Sequence, residues 1–266
     1  RTDVPVYQGA TFPLVREREK TIAAQRFSGK VAWLGAWGGG ESTPSTITED
    51  PYALDDLPEG KPHIKPQSED AAHFLIDAVH AHPGQVAIIA AGPLTNLALA
   101  QRIDPTFAKT AKEVVIMGGS IAPVTDDPEF TTTPSHEFNF WFDPEAAHIV
   151  LKAPWQKITV TPVDVSLQTW YSDAMQKAIA SSDSPAAQYL ARYDTERYYM
   201  WDEIAALAWL HPDLIDKTRT LYLDADISHG PSYGNTLAYT AKSKPRDAGT
   251  PATVQMTLHR KAFDKA

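Results

Sequence analysis

Val86-Ala87-Ile88-Ile89-Ala90-Ala91-Gly92-Pro93-Leu94-Thr95-Asn96 decides the fold class of this 266-residue chain. Its first six residues are apolar without interruption, the pattern of a parallel strand covered on both faces, and Gly92-Pro93 turns the chain into a helix expected over residues 94–102. A second unit follows the first. After another helical piece, Val114-Val115-Ile116-Met117 repeats the buried run and Gly118-Gly119 closes it. Upstream, Ser68 is expected to cap a helix whose Ala72, Leu75, Ile76 and Val79 fall on one stripe. Downstream, a third strand over residues 158–163 ends at Asp164. The alternation predicts an α/β protein with an open, mostly parallel sheet flanked by helices, in which ligands bind beyond the carboxyl ends of the strands.

The flanks are read more simply. Residues 18–26 are helical in pattern, residues 31–37 carry aromatics in a glycine-bounded loop, and residues 41–66 form an irregular excursion rich in Pro, Asp, Ser and Thr. Helices are expected over residues 172–180, 184–197 and 201–210, then strands over 220–227, 236–241 and Ala252–Leu258. No repeat or break divides residues 1–266, which read as a single domain.

Composition excludes several function classes. With 43% hydrophobic residues the chain can bury a substantial core. The formal charge of −9, with acids scattered, argues against a nucleic-acid partner, which needs a concentrated basic surface. No apolar run approaches the roughly 20 residues that span a bilayer. A soluble protein with a small-molecule ligand is the expectation, and the compartment stays open. The absence of cysteine removes disulfides, thiolate metal sites and thiol nucleophiles. No G-x-S-x-G elbow, P-loop or G-x-G-x-x-G fingerprint is present, so serine hydrolase, nucleoside triphosphatase and nicotinamide chemistry lose their main support.

Residues 135–151 hold two patterns side by side. Asp143-Pro144-Glu145 reads as a helix start, with a capping aspartate, a proline where no donor is needed, and an acid at the positive end. Ala147, Val150 and Leu151 supply its apolar stripe. Ahead of it, Glu137 and Asn139 stand two apart in an aromatic run. On a strand both would point to one face, either as a solvated edge or as the floor of a polar pocket.

Two further places carry candidate chemistry. The carbonyl of Ala91 ends the first buried strand, where it either serves the turn alone or faces a ligand or hard cation. Trp201-Asp202 precedes an alanine-rich helix. Asp202 is either its cap or a metal carboxylate, and Trp201 either a core aromatic or a stacking surface for a planar ring. The histidines show no H-x-x-x-H metal spacing.

Taken in order, Ala90-Ala91-Gly92-Pro93-Leu94-Thr95-Asn96-Leu97-Ala98-Leu99, Val114 to Gly119, Glu137-Phe138-Asn139, Asp143-Pro144-Glu145-Ala146-Ala147 and Trp201-Asp202 resemble the inosine-uridine type nucleoside hydrolases. The resemblance implies a Rossmann-like, calcium-dependent N-ribohydrolase in which a metal-bound water attacks C1′ of a nucleoside as the base departs. It implies that the carbonyl of Ala91 and the carboxylate of Asp202 are metal ligands and that Glu137 and Asn139 hold the ribose. Trp201 stands where purine-preferring members carry Trp and pyrimidine-tolerant members His, which implies a purine-leaning site. Glu137, Asn139 and Trp201 would then be the catalytic and substrate-binding set.

The sequence departs from the family pattern in three places. The family opens with a strand ending in a D-x-D-x-x-x-D-D motif that supplies most metal carboxylates and the general base, and residues 1–266 hold no such run. The expectation is therefore an N-terminally incomplete domain without the first strand, completed by a separate N-terminal segment, with a secreted or periplasmic location compatible with removal of that segment. An Asn expected ahead of the Glu has Thr133 as its nearest polar stand-in. The loop His-Gly of the family is Ser28-Gly29 here. The expected assembly is a homo-oligomer. The rival reading is a non-catalytic nucleoside- or ribose-binding protein that has lost its metal site.

Overall fold

The structure is a computed structural model that describes residues 3–28, 64–127, 130, 136–194 and 197–263. The aromatic loop of residues 31–37, nearly all of the 41–66 excursion, Gly29 and Thr133 lie outside the described residues. Six described strands form one sheet in the order β1-β2-β3-β6-β4-β5, with β1 Ala87–Ala90, β2 Glu113–Met117, β3 Ile158–Thr161, β4 Ile215–Ala225, β5 Thr236–Tyr239 and β6 Ala252–Leu258. The pairs β1·β2, β2·β3 and β3·β6 are parallel, while β4 pairs antiparallel with both β6 and β5. This is the α/β architecture expected, a mostly parallel sheet with an antiparallel end.

Burial separates the two founding strands. All five residues of β2 are buried, as a strand covered on both faces requires. β1 differs: Ile88 is buried but Ile89 is 40% exposed, because β1 ends the described sheet and one of its faces is only partly covered. The expectation of burial on both faces fails there.

Helix boundaries follow local chemistry with small shifts. Helix α1 (Arg18–Ser28) and helix α2 (Ala71–Ala81) precede β1. The cap of α2 is Asp70, not Ser68: its carboxylate accepts from the amides of Ala72 and His73, two bonds a serine hydroxyl two residues earlier cannot reach. Helix α3 (Thr95–Ile103) and the single turn α4 (Phe107–Thr110) link β1 to β2. Helices α3 and α2 pack on the sheet through Leu97, Ala98, Ala100 and Val79 in one continuous core with Val114, Ile116, Ile158, Val160 and Val254.

The run expected to be extended is helical. Phe138–Phe142 forms the five-residue helix α5, and Glu137 caps it by accepting from the amides of Asn139 and Phe140. Helix α6 (Pro144–Lys152) starts as the sequence predicts, with Asp143 accepting from Ala146 N and Pro144 in the first turn. After β3 come the single turn α7 (Val163–Ser166), α8 (Asp173–Ala180), α9 (Pro185–Tyr193) and α10 (Asp202–Leu210). Neither α8 nor α9 buries a residue fully. Strand β4 begins five residues earlier than expected, because Asp216 to Thr220 are exposed and carry no apolar alternation, yet they pair with β6 across a register shift. No helix among the described residues is long and apolar enough to cross a membrane.

Candidate functional site

The site grows from the carboxyl end of β2. Gly118 and Gly119 follow Met117 directly, and Gly119 takes φ +84°, a conformation that only glycine adopts without strain. A side chain at Gly118 would place its Cβ 2.6 Å from the Phe140 ring, so the missing side chains are what let α5 lie against the strand end. The close approach brings Glu137 into contact with the strand. Its Oε2 accepts from Gly119 N at 2.8 Å and Phe140 N at 3.0 Å, and its Oε1 accepts from Asn139 N at 2.7 Å. Asn139 donates from Nδ2 to the Met117 carbonyl at 3.1 Å.

Glu137 and Asn139 do not share a strand face, as the sequence suggested, yet both are held at one point. They are cap and second residue of a helix, each less than a tenth exposed. Burial dominates the electrostatics of Glu137 and pushes its carboxyl up to about 7, against the pull of its three amide donors and with a smaller push from Asp202. That last contribution ties Asp202 to the same site.

Asp202 comes in from the opposite side. Trp201 occupies the cap position of α10 without a side-chain bond and Asp202 is the first helical residue, so Asp202 does not serve as the cap. Its carboxylate stands at the positive end of the helix. Although Asp202 keeps an open side to solvent, the protein packed behind it pushes its carboxyl up to about 6, and neighbouring Glu203 adds to the rise. Helix α10 packs on β2 and β3. Trp201 is half-buried against the cluster of Met117, Phe130, Val163 and Ala205, with the Phe130 ring 5.6 Å and the Tyr199 ring 5.4 Å away. Met117 is thus the hinge of the site, bonded to Asn139 through its backbone and packed beside Trp201.

Ala91 lies one residue beyond β1. The register Ala90↔Ile116 puts it level with Met117 on the neighbouring strand, exposed at the same end of the sheet. Glu137, Asn139, Trp201, Asp202 and Ala91 therefore gather at one end of three strands, and Thr133 is outside the described residues. Two aspartates that the sequence marks only as a strand end and a helix cap hold the frame. Asp164 accepts from Ile121 N and Ala122 N, fixing the loop after Gly119. Asp143, fully buried, accepts from Thr95 Oγ1 and Leu14 N besides its own helix. The Gly118-Gly119 pair directly after a buried strand is the signal that could have located this close approach.

A calcium ion takes about 6 to 8 oxygen ligands. Among the described residues no group of three or more His, Cys, Asp or Glu converges where a metal could bind. The Asp202 carboxylate and the Ala91 carbonyl do not complete such a site.

A mostly parallel sheet with a buried carboxylate, an amide and an indole at its strand ends defines an α/β protein whose candidate site lies where ligands bind in such sheets. The chain belongs to the inosine-uridine preferring nucleoside hydrolase family, whose sequence profile matches residues 1–265. An uncharacterized protein of Schizosaccharomyces pombe is 29% identical over 272 residues, covering 95% of this chain and 66% of its own length. A probable uridine nucleosidase of Oryza sativa subsp. japonica is 28% identical over 225 residues, covering 80% of this chain and 58% of its own. A solved plant nucleoside hydrolase superposes with a TM-score of 0.70 at 24% identity, covering 99% of this chain and 79% of that one. The chain thus spans about three fifths to two thirds of the length of these two curated relatives.

Proposed function

We propose that this protein is a nucleoside N-ribohydrolase, cleaving the bond between C1′ and the base nitrogen to give ribose and free base. The observation that carries the reading is the Glu137–Asn139 pair, buried at the end of β2 and linked through Met117 to Trp201, in a chain of this family. Asn139 and Glu137 hold the ribose hydroxyls. The bond breaks through an oxocarbenium-like state, and the Glu137 carboxylate, fixed by three amides in a dry setting, stabilises the positive charge that develops on the sugar. Trp201 stacks on the base, and its ring face favours a base that gains a proton as it leaves.

The purine lean rests on Trp201, whose indole offers a large stacking surface. The rice relative is named for uridine, so the ratio of kcat/KM for inosine to that for uridine tests this part directly. A ratio below one overturns it.

The proposal includes calcium as the metal, with Asp202 and the Ala91 carbonyl as two of its ligands. The remaining donors would come from outside the described residues. Release of free base from inosine or guanosine by the full-length protein, abolished by chelator and restored by calcium, is the expected result. No release with metal present overturns the function.

A second reading is favoured by the incomplete donor set: a nucleoside- or ribose-binding protein without turnover. Calorimetry with ribose and inosine, with and without calcium, separates the two. Metal-independent binding without base release supports the second.

A further inference from the structure

The five-residue helix that carries the proposed ribose pocket is too short to hold itself in place. One side is fixed by Phe140 against Gly118 and Gly119. The other side is Trp141, whose amide donates to the Glu137 carbonyl at 2.9 Å and whose indole meets a cation from the far end of the chain. Arg16 places its guanidinium carbon 4.5 Å from the Trp141 ring centre and 4.3 Å from that of Tyr233, so the cation is clasped between two rings.

Three observations show that the clasp is built. Arg16 Nε and Nη2 are buried and find no hydrogen-bond partner among the described residues, so ring faces, with the charge attraction of Glu145 and Asp143, hold this cation. Gly234 adopts φ +93°, and a Cβ there would lie 2.9 Å from Trp141 Cα, so the turn between β4 and β5 sits flush on the helix. Tyr233 donates its hydroxyl to both carboxylate oxygens of Glu145, at 2.8 and 2.9 Å, which fixes the outer ring. Beside it, Leu14 N donates to Asp143 and Ala10 N to the Asn96 side chain. The segment before α1 therefore runs as a strap over the starts of α3 and α6, and Arg16 is where it grips the helix of the site.

We propose that Arg16 is a positioning residue for the ribose pocket: clasped between Trp141 and Tyr233, it fixes the short helix and with it Glu137 and Asn139. Arg16 itself does not touch substrate. The assignment of a ribose role to that pair rests on the ribohydrolase reading, whereas the clasp does not. Burial of the Arg16 cation works against stability and only the attraction of Tyr233, Glu145 and Asp143 offsets it, so its net contribution to the whole fold is small. A purely structural arginine would show its loss in the melting temperature. A positioning arginine shows it in the helix.

Hydrogen exchange on the full chain tests this. In R16M and Y233A, the amides of Asn139, Phe140 and Trp141 are expected to exchange at least tenfold faster, with protection of β2 unchanged. Y233F, which keeps the ring and loses its bond to Glu145, is expected to raise exchange in the helix by less than Y233A does. Inosine affinity, measured by calorimetry, falls about tenfold in R16M and Y233A and by less in Y233F. Wild-type exchange in the R16M helix overturns the proposal. Loss of β2 protection together with the helix also overturns it, since Arg16 would then support the whole fold. R16K provides a second cation at the site without the planar stack, and full protection in R16K would overturn the stacking basis of the clasp. If the wild-type chain binds no inosine while the exchange result stands, the ribohydrolase reading fails and the clasp survives.

Discussion

The two sides of the site are built by opposite means. On the Glu137 side, Glu137 and Asn139 are buried, their hydrogen bonds run to backbone atoms apart from one from Asn139 Nδ2 to Met117 Sδ, and two glycines are spent on the approach. On the Trp201 side, Trp201 is half-buried, Asp202 is open to solvent, and the neighbours are aromatic rings meeting at tilted or edge-on angles. Hydrogen bonds from backbone fix a position to a fraction of an ångström, while ring contacts tolerate rotation and exchange. Under the proposed function, a constant sugar meets the rigid side and a variable base meets the adaptable one.

The largest effect expected from this difference lies at Glu137. E137Q removes the charge and keeps a side chain of the same shape, so kcat/KM for inosine should fall on the order of 10²–10³-fold, the usual loss for one electrostatic stabiliser. Stability should fall as well, by about 1–3 kcal/mol, because the amide nitrogen of Gln cannot accept and at least one of the amides of Gly119, Asn139 and Phe140 is left without a partner. Steady-state kinetics beside thermal melting at pH 8 checks both. A lowered melting temperature with kcat/KM unchanged would make Glu137 a structural residue.

Nearly as large is a dependence of stability on pH. Burial raises the Glu137 carboxyl to about 7 in the folded protein, above the value near 4.5 that it has when exposed. The folded state therefore holds a proton that the unfolded state releases between those two values. This contribution is fully present below about 4.5 and is lost as pH rises through about 7, to the extent of about 3 kcal/mol. Asp202, raised to about 6 by burial and then by Glu203, acts in the same direction, with solvent screening reducing its share. Urea denaturation of wild type and E137Q across pH 4.5–8 isolates the Glu137 part. An unchanged slope in E137Q would assign the dependence elsewhere.

A third effect tests the glycines on the rigid side. G118A would put a Cβ 2.6 Å from the Phe140 ring, and overpacking of this kind costs about 1–3 kcal/mol. Because the ring belongs to the helix of the site, ribose binding should weaken along with the melting temperature. Unchanged ribose affinity in a destabilised G118A would uncouple the strand end from the pocket.

What could be read from the sequence follows the same divide between local and distant causes. β2 and the Asp143-Pro144 helix start were legible because an apolar run and a cap act within a few residues. The aromatic run from Phe138 to Phe142 favours strand by propensity and is helical only because Gly118 and Gly119, about twenty residues earlier, make room for Phe140. The spacing of Glu137 and Asn139 pairs them on a strand face, whereas they meet as the cap and second residue of a helix. The apolar run predicts Ile89 covered on both sides, yet it is exposed, since the apolar letters of an end strand and a central strand are alike. The grouping of Ala91 with Asp202 depends on sheet order and register, which no local pattern carries.

The smallest effect belongs to the adaptable side and decides whether that side deserves the description. Trp201 packs on Met117, Phe130 and Ala205 and meets the rings of Tyr198 and Tyr199, yet stays only half-buried. W201A should therefore cost less stability than a fully buried aromatic would and act on binding of the base, where a lost stack is worth about 1–3 kcal/mol. The expected reading is a rise in KM for inosine of about tenfold or more, a smaller rise for uridine, whose single ring offers less area, and a wild-type affinity for free ribose. Kinetics with both nucleosides and calorimetry with ribose measure the three together. Should W201A weaken ribose as much as inosine, the indole would be supporting Asn139 through Met117, and the two sides of the site would be one mechanical unit.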